Sequence, residues 1–215
     1  MQPEEKRERT LGIDPGTKNF AAILLEVGLS SGKSAVHKKL VLKRKRGEDI
    51  LTFARRVGSE IIEKFLGEGH AVEPVSFVVF ERQFDRSPDK PLERLLHIVE
   101  FVLYDYTYRT CNEWFGYPAI SLGLEYSPTQ MKKYVTGKGN ADEAEYWRKI
   151  ERKCATGQLP FGDIDNQHLI EAGIYALMGL DWYHVYYRGD EAWKCHGNRE
   201  GAKKPKILWN FDVDF

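Results

Sequence analysis

The order in which two hydrophobic periodicities alternate constrains this chain most. Three short segments with strand-like alternation come first: Thr10 to Asp14, Phe20 to Glu26 and Val36 to Leu42, the last two joined through Gly28, Ser30, Ser31 and Gly32. They read as an antiparallel meander. Helical spacing follows from about Glu48 to Leu66, with Ile50, Phe53, Ala54, Val57, Ile61, Ile62 and Phe65 in phase and Gly67 and Gly69 at the stop. Val75 to Glu81 is a nearly continuous apolar run, the pattern of a strand covered on both faces. Leu92 to Trp114 returns to helical spacing, Ala119 to Tyr126 reads as a strand, and helices are expected at Pro128 to Tyr134, Asp142 to Cys154 and Asn166 to Leu180. The pattern predicts an α/β fold, a mixed five-stranded sheet with helices on both faces.

The chain has 215 residues, enough to bury a substantial core, and 42% of them are hydrophobic. One main domain is expected over residues 1–180, with an aromatic-rich extension over 181–215 that carries Trp182, Tyr183, Tyr186, Tyr187, Trp193 and Trp209. No apolar run approaches the length of a membrane span, and the first ten residues are charged rather than signal-like, so an intracellular, cytoplasmic protein without membrane partners is expected. Cys111, Cys154 and Cys195 are odd in number and widely spaced, which fits a reducing compartment. Cys195 and His196 lack a second ligand pair at zinc-like spacing.

Lysine plus arginine equals aspartate plus glutamate at 32 each, so total charge does not mark a nucleic-acid binder. The distribution is more telling. Lys43, Arg44, Lys45 and Arg46 end a basic run that begins at His37, and phosphate contact is one use of such a run, a solvated strand edge the other.

Carboxylates then appear where a strand core should exclude them. Asp14 follows Leu11, Gly12 and Ile13, and Glu81 closes Phe77, Val78, Val79 and Phe80. An ionised carboxylate in such a place needs a cation or a partner. Asp163 and Asp165 precede the last helix, where an acid often serves as a cap. Brought together by the predicted topology, Asp14, Glu81 and Asp165 form a hard-oxygen set suited to Mg²⁺ or Mn²⁺, with two such ions serving phosphodiester hydrolysis.

Three segments resemble the RuvC-type Holliday junction resolvases of the ribonuclease H-like superfamily. They are Gly12-Ile13-Asp14-Pro15-Gly16-Thr17; Glu81-Arg82-Gln83-Phe84; and Tyr126-Ser127-Pro128-Thr129-Gln130-Met131-Lys132 with Val135 to Ala141. The likeness covers roughly Leu11 to Leu180 and implies a ribonuclease H-like fold. It also implies metal ligation by Asp14 and Glu81, phosphate contact by Lys132, and stacking of Phe84 on a base near the crossover. The family closes with Asp or His, two residues, then Asp. Here Asp165-Asn166-Gln167-His168 reverses that order, giving Asp165 as ligand and His168 as ligand or water-orienting base, with Asp163 as the alternative carboxylate. Glu143 stands where the family carries a second phosphate-directed lysine, a role left to Lys138.

The implied protein is a homodimeric, metal-dependent endonuclease that nicks opposed strands of four-way DNA junctions, with the helix from Leu92 to Trp114 as its interface. Its divergence and tail point to a phage or viral version. Two further readings stay open: a catalytically weak junction-binding protein, and a nuclease of broader taste acting on branched DNA or RNA-DNA hybrids.

Overall fold

A computed structural model describes residues 6–67, 75–82, 90–110 and 118–211. Its sheet has strands β1 (Arg7–Asp14), β2 (Asn19–Gly28), β3 (Ser34–Lys43), β4 (Val75–Glu81), β5 (Ile120–Tyr126) and β6 (Lys206–Asn210), in spatial order β3-β2-β1-β4-β5-β6. The helices are α1 (Ile50–Ile61), α2 (Lys90–Arg109), α3 (Pro128–Thr136), α4 (Glu143–Ala155), α5 (Gln167–Trp182) and α6 (Arg199–Ala202). The first three strands are an antiparallel meander, β4 and β5 run parallel to β1, and β6 returns antiparallel on the β5 edge.

Helices cover both faces, which explains why β2 and β4 are apolar on both sides. Residues of α1 and α2 such as Phe53, Val57, Leu95 and Val99 pack with Ile13, Val78 and Phe80. On the opposite face α5 supplies Ile174, Leu177 and Met178 against Phe77, Val79 and Leu124. No helix of the described residues is long and apolar enough to cross a membrane.

Local signals set the helix ends. Ser127 and Gln130 form a reciprocal capping box at the start of α3, Pro128 sits inside it, and Gly137 closes it in the left-handed conformation at φ 86°. At α5 the side chain of Asn166 accepts from Leu169 N, so the cap is Asn166 and neither Asp163 nor Asp165.

The sheet has six strands, one more than the sequence pattern predicts. β6 docks because Gly123 of β5 leaves room for the indole of its partner Trp209; a Cβ on Gly123 would lie 2.5 Å from the ring. Between α5 and β6 the chain is tied to the body through Asp181, which is fully buried. Its carboxylate accepts from Tyr134 Oη (2.6 Å), Trp193 Nε1 (3.0 Å), His196 N (2.8 Å) and His196 Nδ1 (2.9 Å). Cys154 and Cys195 are free thiols, and the end of the expected Leu92 to Trp114 helix beyond Thr110 lies outside the described residues.

Candidate metal centre

Strand register brings the first two carboxylates together. Ile13 pairs with Phe80 across parallel strands, so Asp14 and Glu81 follow side by side at the carboxyl ends of β1 and β4. Thr10, Gly12 and Asp14 alternate onto the face that α5 covers. Thr10 Oγ1 donates to Ala176 O at 3.1 Å, and a Cβ on Gly12 would stand 1.7 Å from Ala172 O. That close approach sets the first turn of α5 directly over Asp14.

His168 and Glu171 occupy that turn, three residues apart and therefore on one helix face. His168 Nδ1–H donates to Asp14 Oδ2 at 2.7 Å. One donor atom from each of Asp14, His168 and Glu171 falls within 4.8 Å of the others, a group able to hold a metal ion. Asp14 is 6% exposed, while His168 opens to solvent.

The electrostatics follow from this crowding. Burial, reinforced by the nearby negative charges of Asp14 and Glu143, pushes the Glu171 carboxyl up to about 7, while His168 and Lys132 oppose that rise. His168 is raised above its ordinary value, first by its hydrogen bond to Asp14. A carboxyl that holds its proton near neutrality because it is buried beside other acids is one that a cation would stabilise. The hydroxyls of Tyr146 and Tyr175 are buried without a hydrogen-bond partner among the described residues. Both feel the charges of Asp14, Glu81 and Glu171. Two orphaned donors beside three carboxylates fit a hydrated divalent ion, and the mixed oxygen and imidazole set suits Mn²⁺ or Mg²⁺.

The remaining predicted residues divide. Glu81 adjoins the group but stands outside its 4.8 Å limit. Lys132, half-buried on α3, is close enough for its charge to act on Glu171. Asp165 is not brought in: its side chain is exposed and lines a separate groove with Trp147, Glu151 and Gln167. The reason is local, since Asp165 precedes the Asn166 cap whereas the residues over Asp14 lie inside the helix. Asp163 is likewise exposed in the preceding loop. Lys138 pairs with Glu145 at 3.3 Å. Lys43 ends β3 and Arg44, Lys45 and Arg46 follow it, all four exposed, and the pairing of Lys43 with Asn19 puts them at the Asp14 end of the sheet, two strands or about 10 Å across. Phe84 lies outside the described residues.

Glu171 escaped the sequence reading. Its signal is His168-Leu169-Ile170-Glu171, which repeats the family's closing spacing in forward order with Glu in the last place.

No protein-family model matches the chain, and no curated protein does. Among solved structures, Thermus thermophilus RuvC superposes with a TM-score of 0.56 at 18% identity, covering 82% of this chain and 96% of that one. The same protein in complex with a Holliday junction substrate gives 0.54 at 15% identity, over 83% and 96%. The fowlpox virus Holliday junction resolvase gives 0.47 at 12%, over 82% and 98%. The chain has the ribonuclease H-like fold of the RuvC-type resolvases.

Proposed function

We propose that this chain is a metal-dependent, structure-selective DNA endonuclease that resolves four-way junctions. The observation that carries the reading is the convergence of Asp14, His168 and Glu171 at the carboxyl end of the central strand, with Glu81 on the neighbouring strand. The T. thermophilus structure bound to a Holliday junction supports DNA of that shape as the substrate.

Asp14, Glu81, Glu171 and His168 would hold one or two divalent ions, which supply Lewis-acid activation of water and charge stabilisation at the leaving oxygen. Lys132, whose charge acts on Glu171, would counter charge on a bound phosphate. The basic turn from Lys43 to Arg46 holds the backbone of an arm leaving the junction, with selectivity coming from shape and phosphate geometry. Lys138, released from Glu145, and Phe84 are further candidate DNA contacts.

Paired nicks need two active sites, so the working form is a homodimer. The exposed aromatic face of α2 supports this: Phe101, Tyr104 and Tyr108 are 66%, 39% and 50% exposed on one helix.

The test is incubation of a synthetic four-way junction, a fork and a linear duplex with Mg²⁺ or Mn²⁺. Paired nicks in the junction that Asp14→Asn abolishes support the reading. Junction binding without nicks in either metal refutes the enzymatic part.

A further inference from the structure

At the other end of the sheet a second cavity is built from residues the metal centre does not use. Three chain segments line it: Gly32, Lys33 and Ser34 from the β2–β3 turn, Lys153, Gly157 and Gln158 from the end of α4, and the 194–197 loop. Its volume is about 490 Å³. Asp14 pairs with Ala21 and Arg7 with Gly28, so the β2–β3 turn stands seven residues along β2 from the metal centre, about 25 Å.

The lining is one-sided in charge. Lys33, Lys153 and Lys194 converge on the cavity, and none of them has an ion-pair partner among the described residues. Lys153 is half-buried, and its ammonium reaches only neutral oxygens at long range, His196 O at 3.4 Å and Gln158 Oε1 at 3.5 Å. Burial and the charge of Lys149 lower its pKa, and the charge of Asp181 offsets only part of that. Asp181, the acid whose field reaches it, is wholly buried and engaged by the tail. His196, on the cavity wall, gives Nδ1 to Asp181 and keeps a buried Nε2 without a partner. Three cationic donors from three segments around a concave space match a tetrahedral phosphate anion.

We propose that this cavity is a phosphate-binding site, taking a phosphate of a nucleic-acid backbone or of a free nucleotide. The assignment does not rest on the nuclease reading; only the source of the phosphate bears on it. A basic track favours the backbone source, because Lys39 and Lys43 follow Lys33 at even spacing along edge strand β3 toward Arg44, Lys45 and Arg46.

The experiment uses the full chain and titrates inorganic phosphate and a nucleoside 5′-monophosphate by calorimetry. Junction affinity is measured across a salt series without a cleaving metal. The variants are Lys153→Met, which keeps the aliphatic stem, the exposed pair Lys33→Ala with Lys194→Ala, and Arg148→Ala on the same helix outside the cavity. Phosphate binding that is lost in the first two and kept in Arg148→Ala supports the site. If the logarithmic salt slope for junction binding also falls by about one per lysine removed, the phosphate belongs to the backbone. An unchanged slope beside lost nucleotide binding assigns a free nucleotide. A protein that binds phosphate through Lys153 but no junction keeps the site and ends the DNA reading. Variants that match the unmodified protein in both titrations overturn the proposal.

Discussion

Replacing Gly12 with Ala tests how the fold holds the centre in register. The added methyl would stand 1.7 Å from Ala172 O, 2.7 Å from Ala172 C and 2.9 Å from Ala176 N, all backbone atoms of α5. Moving the nearest contact out to even 3.0 Å requires a retreat of 1.3 Å, and no side-chain rotation can relieve it. Overpacking typically costs about 1–3 kcal/mol, and a backbone clash belongs at the upper end. The retreat also stretches the Thr10 Oγ1 bond to Ala176 O, worth about 1 kcal/mol more. Urea denaturation of Gly12→Ala should therefore show a loss of about 3–4 kcal/mol. His168 and Glu171 ride on the same helix, so the 2.7 Å contact from His168 to Asp14 opens with it. A misplacement of about 1 Å should slow junction nicking by about a hundredfold in protein that remains folded. Gly162→Ala, whose added methyl meets nothing within 4 Å, is the control and should stay within about 0.5 kcal/mol. A Gly12→Ala protein as stable and as active as the original would refute the packing argument.

Three other outcomes follow. Asp181→Ala, which strands Tyr134, Trp193 and His196, should lower stability by about 3–5 kcal/mol by denaturant titration; a change below about 1 kcal/mol would contradict its anchoring role. Tyr175→Phe removes an orphaned hydroxyl, so the metal-free protein should keep or gain up to about 1 kcal/mol, while Mn²⁺ affinity by calorimetry drops about tenfold; the account fails if the two effects have the same sign. Because the Glu171 carboxyl is raised from its ordinary 4.5 to about 7, the folded state holds more protons than the unfolded one between those values. Metal-free stability should then decline as pH rises through that window, while Mn²⁺ affinity should grow from about pH 6 to 8 as Glu171 gives up its proton, checked by melting with and without metal.

Much of this architecture is legible in the sequence because local signals and the global fold agree. The first five strands, the capping box at Ser127 and the glycine stop at Gly137 all carry their own instructions. β6 was not legible, since Lys206–Asn210 becomes a strand through the space at Gly123, more than eighty residues earlier. At the centre, Asp14 and Glu81 betrayed themselves as charges in apolar strands. Glu171 did not, because it follows the polar, exposed Gln167 and His168 and so looks like part of a solvated helix start, although every residue of α5 after it is buried. Asp165 attracted notice by its place before a helix, yet Asn166 takes the cap and leaves that carboxylate exposed.

On the proposed reading, His168 and Glu171 on α5 complete the metal centre begun by Asp14. Junction nicking by Glu171→Gln and by Asp165→Asn, measured side by side in Mn²⁺ with folding verified, tests it most directly. The account predicts that Glu171→Gln loses about a hundredfold or more in rate, while Asp165→Asn stays close to the unmodified protein. An inactive Asp165→Asn beside a fully active Glu171→Gln would contradict it.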